Sequence, residues 1–384
     1  MRKIGVFLGI KVSSGGMFQY AQSILESLSK FDRNLYQVQV VYTFDDWKYE
    51  IERFNFEAIK IKGGIYSYKW SNIVAYVPDI YGITSYIDPV YRQIIDMKCD
   101  LWVFPSQDHL SYKTKIQSLS TIHDLMHIYE PTFPEVRSFG RYWLRNYRFG
   151  SIAKKCKGVL VDSQMGKKHV KDSYMVNGDN IHVLPYIAPG YIRGDKPKDF
   201  DLKFNLPEKF LFYPAQFWEH KNHIRILQAL SILTSKNSSF KVVFTGGVSG
   251  QYKNMLNTIK NLKLEDHVQI LGRVPDEYLS SIYKRSSGLI MPTFFGPTNI
   301  PPLEAFACRC PVAISNIYGM PDQMNGAALL FNPLSVEEIA SSMNELWNNH
   351  TLCKDLIRKG VENDKSLCIE NFSLRLRNII EGLI

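Results

Sequence analysis

Apolar residues gather in short runs along this chain, and amphipathic helical stretches fill the spaces between them. Runs at Lys3–Leu8, Val38–Thr43, Leu101–Phe104, Leu119–Ile122, Gly158–Val161 and Ile181–Leu184 form a first series. A second series lies at Phe210–Tyr213, Lys241–Thr245, Val268–Leu271, Gly288–Met291, Val312–Ile314 and Ala328–Phe331. Such runs are too short for helices and show little in/out alternation, which is the pattern of strands buried on both faces. Strands alternating with helices predict parallel sheets joined by right-handed crossovers. Between the two series the chain turns rich in Pro, Gly, Asp and Lys and reads as a linker. The predicted organisation is therefore α/β, with an N-terminal domain over 1–190 and a linker over 191–206. A C-terminal domain over 207–365 and a last helical segment over 366–384 complete it.

Composition narrows the picture. At 384 residues the chain is long for a single core, so two domains are expected. Lys and Arg outnumber Asp and Glu by 46 to 37, a net charge of +9 that suits phosphorylated ligands or an anionic surface. No zinc-finger, RNP or KH pattern is present, so nucleic acid is not an expected partner. The first strand begins at once, Lys11 follows it, and no cleavage site appears, so no signal peptide is expected. The aromatic segment Tyr66 to Ile87 is broken by Lys69, Pro78 and Asp79, so it is not read as a membrane span. The six cysteines are scattered and are expected to be reduced, as in a cytosolic protein.

The most informative stretch follows the fourth strand of the second series: Met291-Pro-Thr-Phe-Phe-Gly-Pro-Thr-Asn-Ile-Pro-Pro-Leu-Glu304. A loop of small and polar residues leads to a double proline, which fits the first positions of a helix. Free N–H donors near Asn299, Ile300 and Leu303 would face an anion at the helix start. Glu304 in the first turn could accept both hydroxyls of a ribose. Three further strand ends carry candidate chemistry. Gly15-Gly16 after the first strand allow a ligand to approach backbone closely. His123-Asp124 stand just past the fourth strand of the first series, where open α/β sheets place ligand contacts. Lys221, with Gln216 five residues before it, precedes a helix after the first strand of the second series and can reach a phosphate as a point charge. Ser163 reads first as a helix cap. Arg137, Arg141, Arg145 and Arg148 recur at helical spacing on one face, with Val136, Phe139, Trp143 and Tyr147 mainly on another. That stripe reads as a solvated face or as a surface that meets anionic lipid. Asp199-Phe-Asp201 lies in the linker and reads as solvated, so no metal ligands are expected.

These motifs resemble the signature loops of retaining glycosyltransferases of the family-four, or glycosyl transferases group 1, type. Their version here is similar to mannosyltransferase-like members that act in bacterial surface-polysaccharide assembly. The pattern there is a glutamate, seven residues, a second glutamate, then Ala and a Pro-Val strand; Glu304-Ala305 and Pro311-Val312 fit it. Two positions depart from it: Gly296 stands where the first glutamate would be, and Gln216 where many relatives carry arginine. The resemblance implies two Rossmann-like domains facing across a cleft (GT-B), with the C-terminal helix crossing back to the first. It implies a metal-independent hexosyltransferase without cofactor, cytoplasmic and peripheral on the inner face of the membrane. Gly15, Gly16, Gln216, Lys221, Thr298, Asn299, Ile300, Leu303 and Glu304 would hold the nucleotide-sugar donor. His123 and Asp124 would be catalytic, and Ser163 a further candidate. A lipid-linked or core oligosaccharide would be the acceptor, and the arginine stripe would meet acceptor or membrane. A nucleotide-sugar epimerase of the same fold, or a non-catalytic nucleotide-sugar binder, are the alternatives. The absence of the dinucleotide glycine pattern disfavours a dehydrogenase.

Overall fold

The computed structural model describes residues 1–61, 64–74, 89–113, 116–137, 140–235 and 237–384. The chain forms two compact units. One comprises Met1–Pro131, Ser138–Pro185 and Ile369–Ile384, the other Thr132–Arg137 and Tyr186–Cys368.

The first unit is built on a parallel sheet of seven strands in the order β3-β2-β1-β4-β5-β6-β7. These are β1 (Arg2–Leu8), β2 (Tyr36–Tyr42), β3 (Glu57–Lys60), β4 (Leu101–Phe104), β5 (Ser118–Thr121), β6 (Gly158–Val161) and β7 (Ile181–Val183). The central strands are buried along their whole length, as their unbroken apolar sequences require. Among its helices are α1 (Gly16–Ser29), α2 (Gly64–Val74), α4 (Arg141–Lys155), α5 (Gln164–Tyr174) and α10 (Ile369–Leu383). Helix α3 (Pro134–Arg137), short and just upstream of α4, belongs to the second unit. The terminal helix α10 lies in the first unit against α1: Ser373 Oγ donates to the Ser27 carbonyl, and Phe372 meets Tyr20 edge-on at 5.9 Å.

The second unit has a six-stranded parallel sheet in the order β10-β9-β8-β11-β12-β13. Its strands are β8 (Leu211–Pro214), β9 (Val242–Thr245), β10 (Val268–Ile270), β11 (Gly288–Met291), β12 (Val312–Ser315) and β13 (Ala328–Phe331). Helices α6 (His223–Thr234), α7 (Asp276–Arg285), α8 (Pro301–Ala307) and α9 (Val336–Asn348) are among those that cover it. The stretch expected to be a linker is part of this core. Ile192, Phe200, Phe204 and Leu206 are all buried with the strands. Its loop-like composition concealed apolar side chains spaced along irregular backbone and short helical turns.

In both sheets the strand order reverses beside the first strand: between β1 and β4 in one unit, between β8 and β11 in the other. A crevice opens outside the C-terminal strand ends at such a reversal, and ligands of open α/β sheets bind there.

Candidate functional site

In the first unit, four predicted residues gather at these strand ends. Gly15 has φ 58° and ψ −123°, a conformation closed to residues with a Cβ, and it starts α1. Gly16 is the first residue of that helix, and one turn on Tyr20 packs edge-on against His123 at 5.2 Å. The His123 ring is buried, and its Nε2–H donates to the Pro105 carbonyl at 3.0 Å. A carbonyl can only accept, so this bond places the proton on Nε2. Burial lowers the His123 pKa to about 4, so the ring is a neutral imidazole near pH 7. Asp124 accepts the Met126 N–H at 2.9 Å and so fixes the turn after β5. Ser163 caps α5 by accepting the Gly166 N–H at 2.9 Å, the bland role its sequence suggested.

In the second unit, two loops are joined at the strand reversal. The β8 loop runs through Gln216 to Lys221; the β11 loop runs from Pro292 to Ile300. The His220 carbonyl accepts the Phe294 N–H at 2.7 Å and the Thr293 hydroxyl at 3.2 Å. Asn222, buried in the left-handed region at φ 61°, donates to the carbonyls of Pro292 and Pro333 at 2.8 and 2.9 Å. Lys221 is thereby fixed beside the β11 loop, its carbonyl accepting the Tyr213 hydroxyl at 3.0 Å. Gln216 is exposed, and its Oε1 accepts the Trp218 indole N–H at 2.6 Å. The ring nitrogen of His220 also meets Glu135 at 3.1 Å, a pair that sequence reasoning did not single out.

The start of α8 differs from expectation. The Asn299 N–H donates to Gln323 Oε1 at 3.0 Å, and the Leu303 N–H to the Ile300 carbonyl at 2.9 Å. Neither is a spare donor, because the helix opens with a tight turn at Ile300 and the Gln323 side chain clamps the loop. Thr298 precedes this clamp, and Ile300 and Leu303 are buried. Gly296 sits at φ 135°, and a Cβ there would come 2.5 Å from Asn299 Nδ2. The place where the resemblance puts a glutamate is thus filled by the Asn299 carboxamide. That Nδ2 is buried and has no hydrogen-bond partner.

Glu304 is buried, and both of its oxygens are engaged. Tyr191 donates to Oε1 and Tyr283, on α7, to Oε2 at 2.7 Å. Burial raises the carboxyl pKa, against the opposing effect of the two tyrosine hydroxyls. Neither tyrosine was foreseen. Tyr191 is 113 residues away, in the stretch that read as a linker.

The arginine stripe is not one helical face. Gly140, left-handed at φ 75°, separates α3 from α4, and Arg137 lies in the other unit. Arg141 is exposed, Arg145 is half-buried, and Arg148 donates to Asn72 Oδ1 at 2.6 Å. Phe139 and residues 75–87 of the aromatic segment lie outside the described residues. Asp199 and Asp201 are exposed, as expected, and each also has surface partners: Asp199 accepts the Tyr278 hydroxyl, and Asp201 pairs with Lys196 and Arg285. All six cysteines are free thiols. Among the described residues no helix is long and apolar enough to cross a membrane.

Residues 195–363 match the family model described as Glycosyl transferases group 1. The O-antigen chain mannosyltransferase of Salmonella typhimurium is 26% identical over 213 residues, which is 56% of this chain and 56% of that protein. The chain spans about half the length of the curated relatives it matches first. Sucrose-phosphate synthase from Thermosynechococcus elongatus shares the fold with a TM-score of 0.76 at 15% identity, over 100% of this chain and 99% of that one. An Anabaena protein solved in complex with UDP and glucose has a TM-score of 0.76 at 14% identity, each chain covered over 100%. The two-unit, parallel-sheet fold implied by the sequence is therefore that of GT-B proteins.

Proposed function

We propose, from the match of residues 195–363 to the family model of glycosyl transferases group 1, that this chain is a retaining hexosyltransferase. It moves a sugar from a nucleotide-diphosphate sugar to a growing glycan in bacterial O-antigen, capsule or other surface-polysaccharide synthesis. The observation that carries this reading is the joining of the β8 and β11 loops at the strand reversal. It holds the backbone of Lys221 beside Pro292–Phe294, on the loop that leads to Gly296–Ile300, and there a diphosphate would be met by one cation and by backbone and amide donors. Gln216, Thr298 and Asn299 complete that shell with neutral groups, and Glu304 takes ribose hydroxyls in exchange for the Tyr191 hydroxyl. In the first unit, the Gly15-Gly16 turn and neutral His123 are the candidate groups for the diphosphate and the sugar. The leaving diphosphate is stabilised electrostatically, and the acceptor hydroxyl attacks from the face the leaving group departs. Transfer proceeds without a divalent ion, a reading supported by Asp199 and Asp201 already being bonded to Tyr278, Lys196 and Arg285. The acceptor is a lipid-linked or core oligosaccharide, and the chain works peripherally at an anionic membrane surface.

Thermal unfolding against a panel of nucleotides and sugar nucleotides tests the donor site, because a ligand of the folded state alone raises its stability. A nucleoside diphosphate should shift the melting of wild type, and Lys221→Ala should abolish most of that shift while changing the response to free nucleoside little. No shift with any diphosphate would end the proposal. Chelator should leave transfer unchanged; loss in chelator with recovery on adding manganese would show a metal requirement. The engaged state of Glu304 favours a second reading, a sugar-nucleotide binder without turnover, which predicts stabilisation by donor but no transfer to any glycan acceptor.

A further inference from the structure

Two helices of the first unit leave aromatic faces uncovered. On α2, Tyr66 is 82% exposed, Trp70 53% and Ile73 64%. On α4, Trp143 is 73% exposed, Leu144 43% and Tyr147 39%. A hydrogen bond from Arg148 to Asn72, at 2.6 Å, links the two helices. Trp70 and Ile73 flank Asn72 in sequence, and Leu144 and Tyr147 lie within one turn of Arg148. Isolated exposed apolar residues are ordinary on a soluble protein; six large ones on two tied helices are not.

Charge points to the occupant. The sequences of α2 and α4 contain no acidic residue, while Lys69, Arg141, Arg145, Arg148, Lys154 and Lys155 all lie on them. Trp and Tyr beside Lys and Arg is the composition that settles at a bilayer interface, rings at headgroup level and cations on phosphate. We infer that the α2–α4 face inserts its aromatic side chains into the interface of an anionic bilayer. This deepens the membrane reading given above and rests on it. It changes the expected mode of attachment from electrostatic docking of an arginine stripe to docking plus shallow insertion, so part of the binding should survive high salt.

Vesicles of phosphatidylglycerol and phosphatidylcholine, with and without bromine on the acyl chains, test the inference on the full chain. Wild type should co-sediment, its tryptophan emission should shift to the blue, and brominated lipid should quench it. The double variant Trp70→Ala/Trp143→Ala should bind about tenfold more weakly in high salt, with the quenching gone. Both residues are exposed, so the variant should keep the wild-type circular dichroism and melting temperature. The pair Arg141→Gln/Arg145→Gln should weaken binding at low salt but leave the quenching of the bound fraction unchanged. If wild type sediments but is released by salt to the same degree as the tryptophan variant, without quenching, insertion is overturned while electrostatic docking stands. If wild type fails to bind anionic vesicles at all, the membrane reading falls with it. Self-association of wild type that the tryptophan variant loses would assign the face to a second copy of the chain and overturn the inference.

Discussion

Gly296 and Asn299 show how one residue settles the character of the donor loop. At φ 135° the backbone of Gly296 is closed to ordinary side chains, and the space beyond it is filled by the Asn299 amide, 2.5 Å from where a Cβ would stand. Restoring the acidic residue of the common pattern is therefore expected to fail. Gly296→Glu should destabilise the protein by about 1–3 kcal/mol through backbone strain and a displaced Asn299, without improving donor affinity. Chemical denaturation and calorimetry with a nucleoside diphosphate would measure both, and tighter binding with unchanged stability would show the loop to be adaptable. Glu304 supports a second expectation at this scale. Its folded pKa lies above the ordinary 4.5, chiefly because of burial. From that pH upward the unfolded chain loses a proton that the folded protein retains, so this group's contribution to stability falls as pH rises. Glu304→Gln, which cannot ionise, should flatten the loss of stability between acid and neutral pH. If Glu304 binds ribose, the variant should also weaken donor binding by about 1–3 kcal/mol. Urea melts of both proteins at several pH values decide the first point; parallel curves would mean that Glu304 does not titrate in the folded state.

At the scale of elements, Asn222 is the joint between the β8 and β11 loops. Its amide bonds two carbonyls, its backbone is left-handed, and the Arg225 guanidinium donates to its Oδ1 at 3.2 Å. Asn222→Ala should lose these bonds and strain the backbone, lowering stability by about 2–4 kcal/mol and reducing stabilisation by a nucleoside diphosphate. Asn222→Gly loses the bonds but accepts the left-handed backbone, so it should recover about 1 kcal/mol of the difference. Equal urea midpoints for the two variants would remove backbone strain from the account. The strands were legible in the sequence for a plain reason. Buried on both faces, they appear as unbroken apolar runs, and every run was found as a strand within one or two residues. The exception is β3, Glu57–Lys60, which sits at a sheet edge and is mostly exposed, so nothing marked it. Positions defined by a strand end, such as Lys221 and His123, were legible too, because crossover topology fixes where strand ends point. The Tyr191–Glu304–Tyr283 cluster was not, since partners 113 and 21 residues apart leave no local pattern. The arginine spacing misled because periodicity was followed through Gly140, the residue that ends it.

At the scale of the whole molecule, buried histidines are unevenly shared. Burial lowers the pKa of His109, His123, His127 and His169 to about 4, and all four belong to the first unit. The second unit has His223, lowered to about 3 by burial and the nearby Lys221 charge. A histidine depressed in the folded state is protonated first in the unfolded chain. Between its ordinary value near 6.5 and about 4, the unfolded chain therefore binds more protons, and stability is lost as pH falls. Glu304 in the second unit has the opposite sign, since its raised pKa favours the folded state in acid. Burial lowers the pKa of His182 in the first unit too, so five depressed histidines on one side, against one histidine and a raised carboxyl on the other, predict that the two units part company in acid. The first unit should unfold at a higher pH than the second. Hydrogen exchange at pH 5 and pH 7, corrected for intrinsic rates, should show β4, β5 and β6 losing protection while β8, β9 and β11 keep theirs. His109→Gln with His127→Phe should narrow the gap between the units by removing two of the protons taken up on unfolding. Acid loss of protection that begins in the second sheet, or that strikes both sheets together, would show that these histidines do not control acid stability.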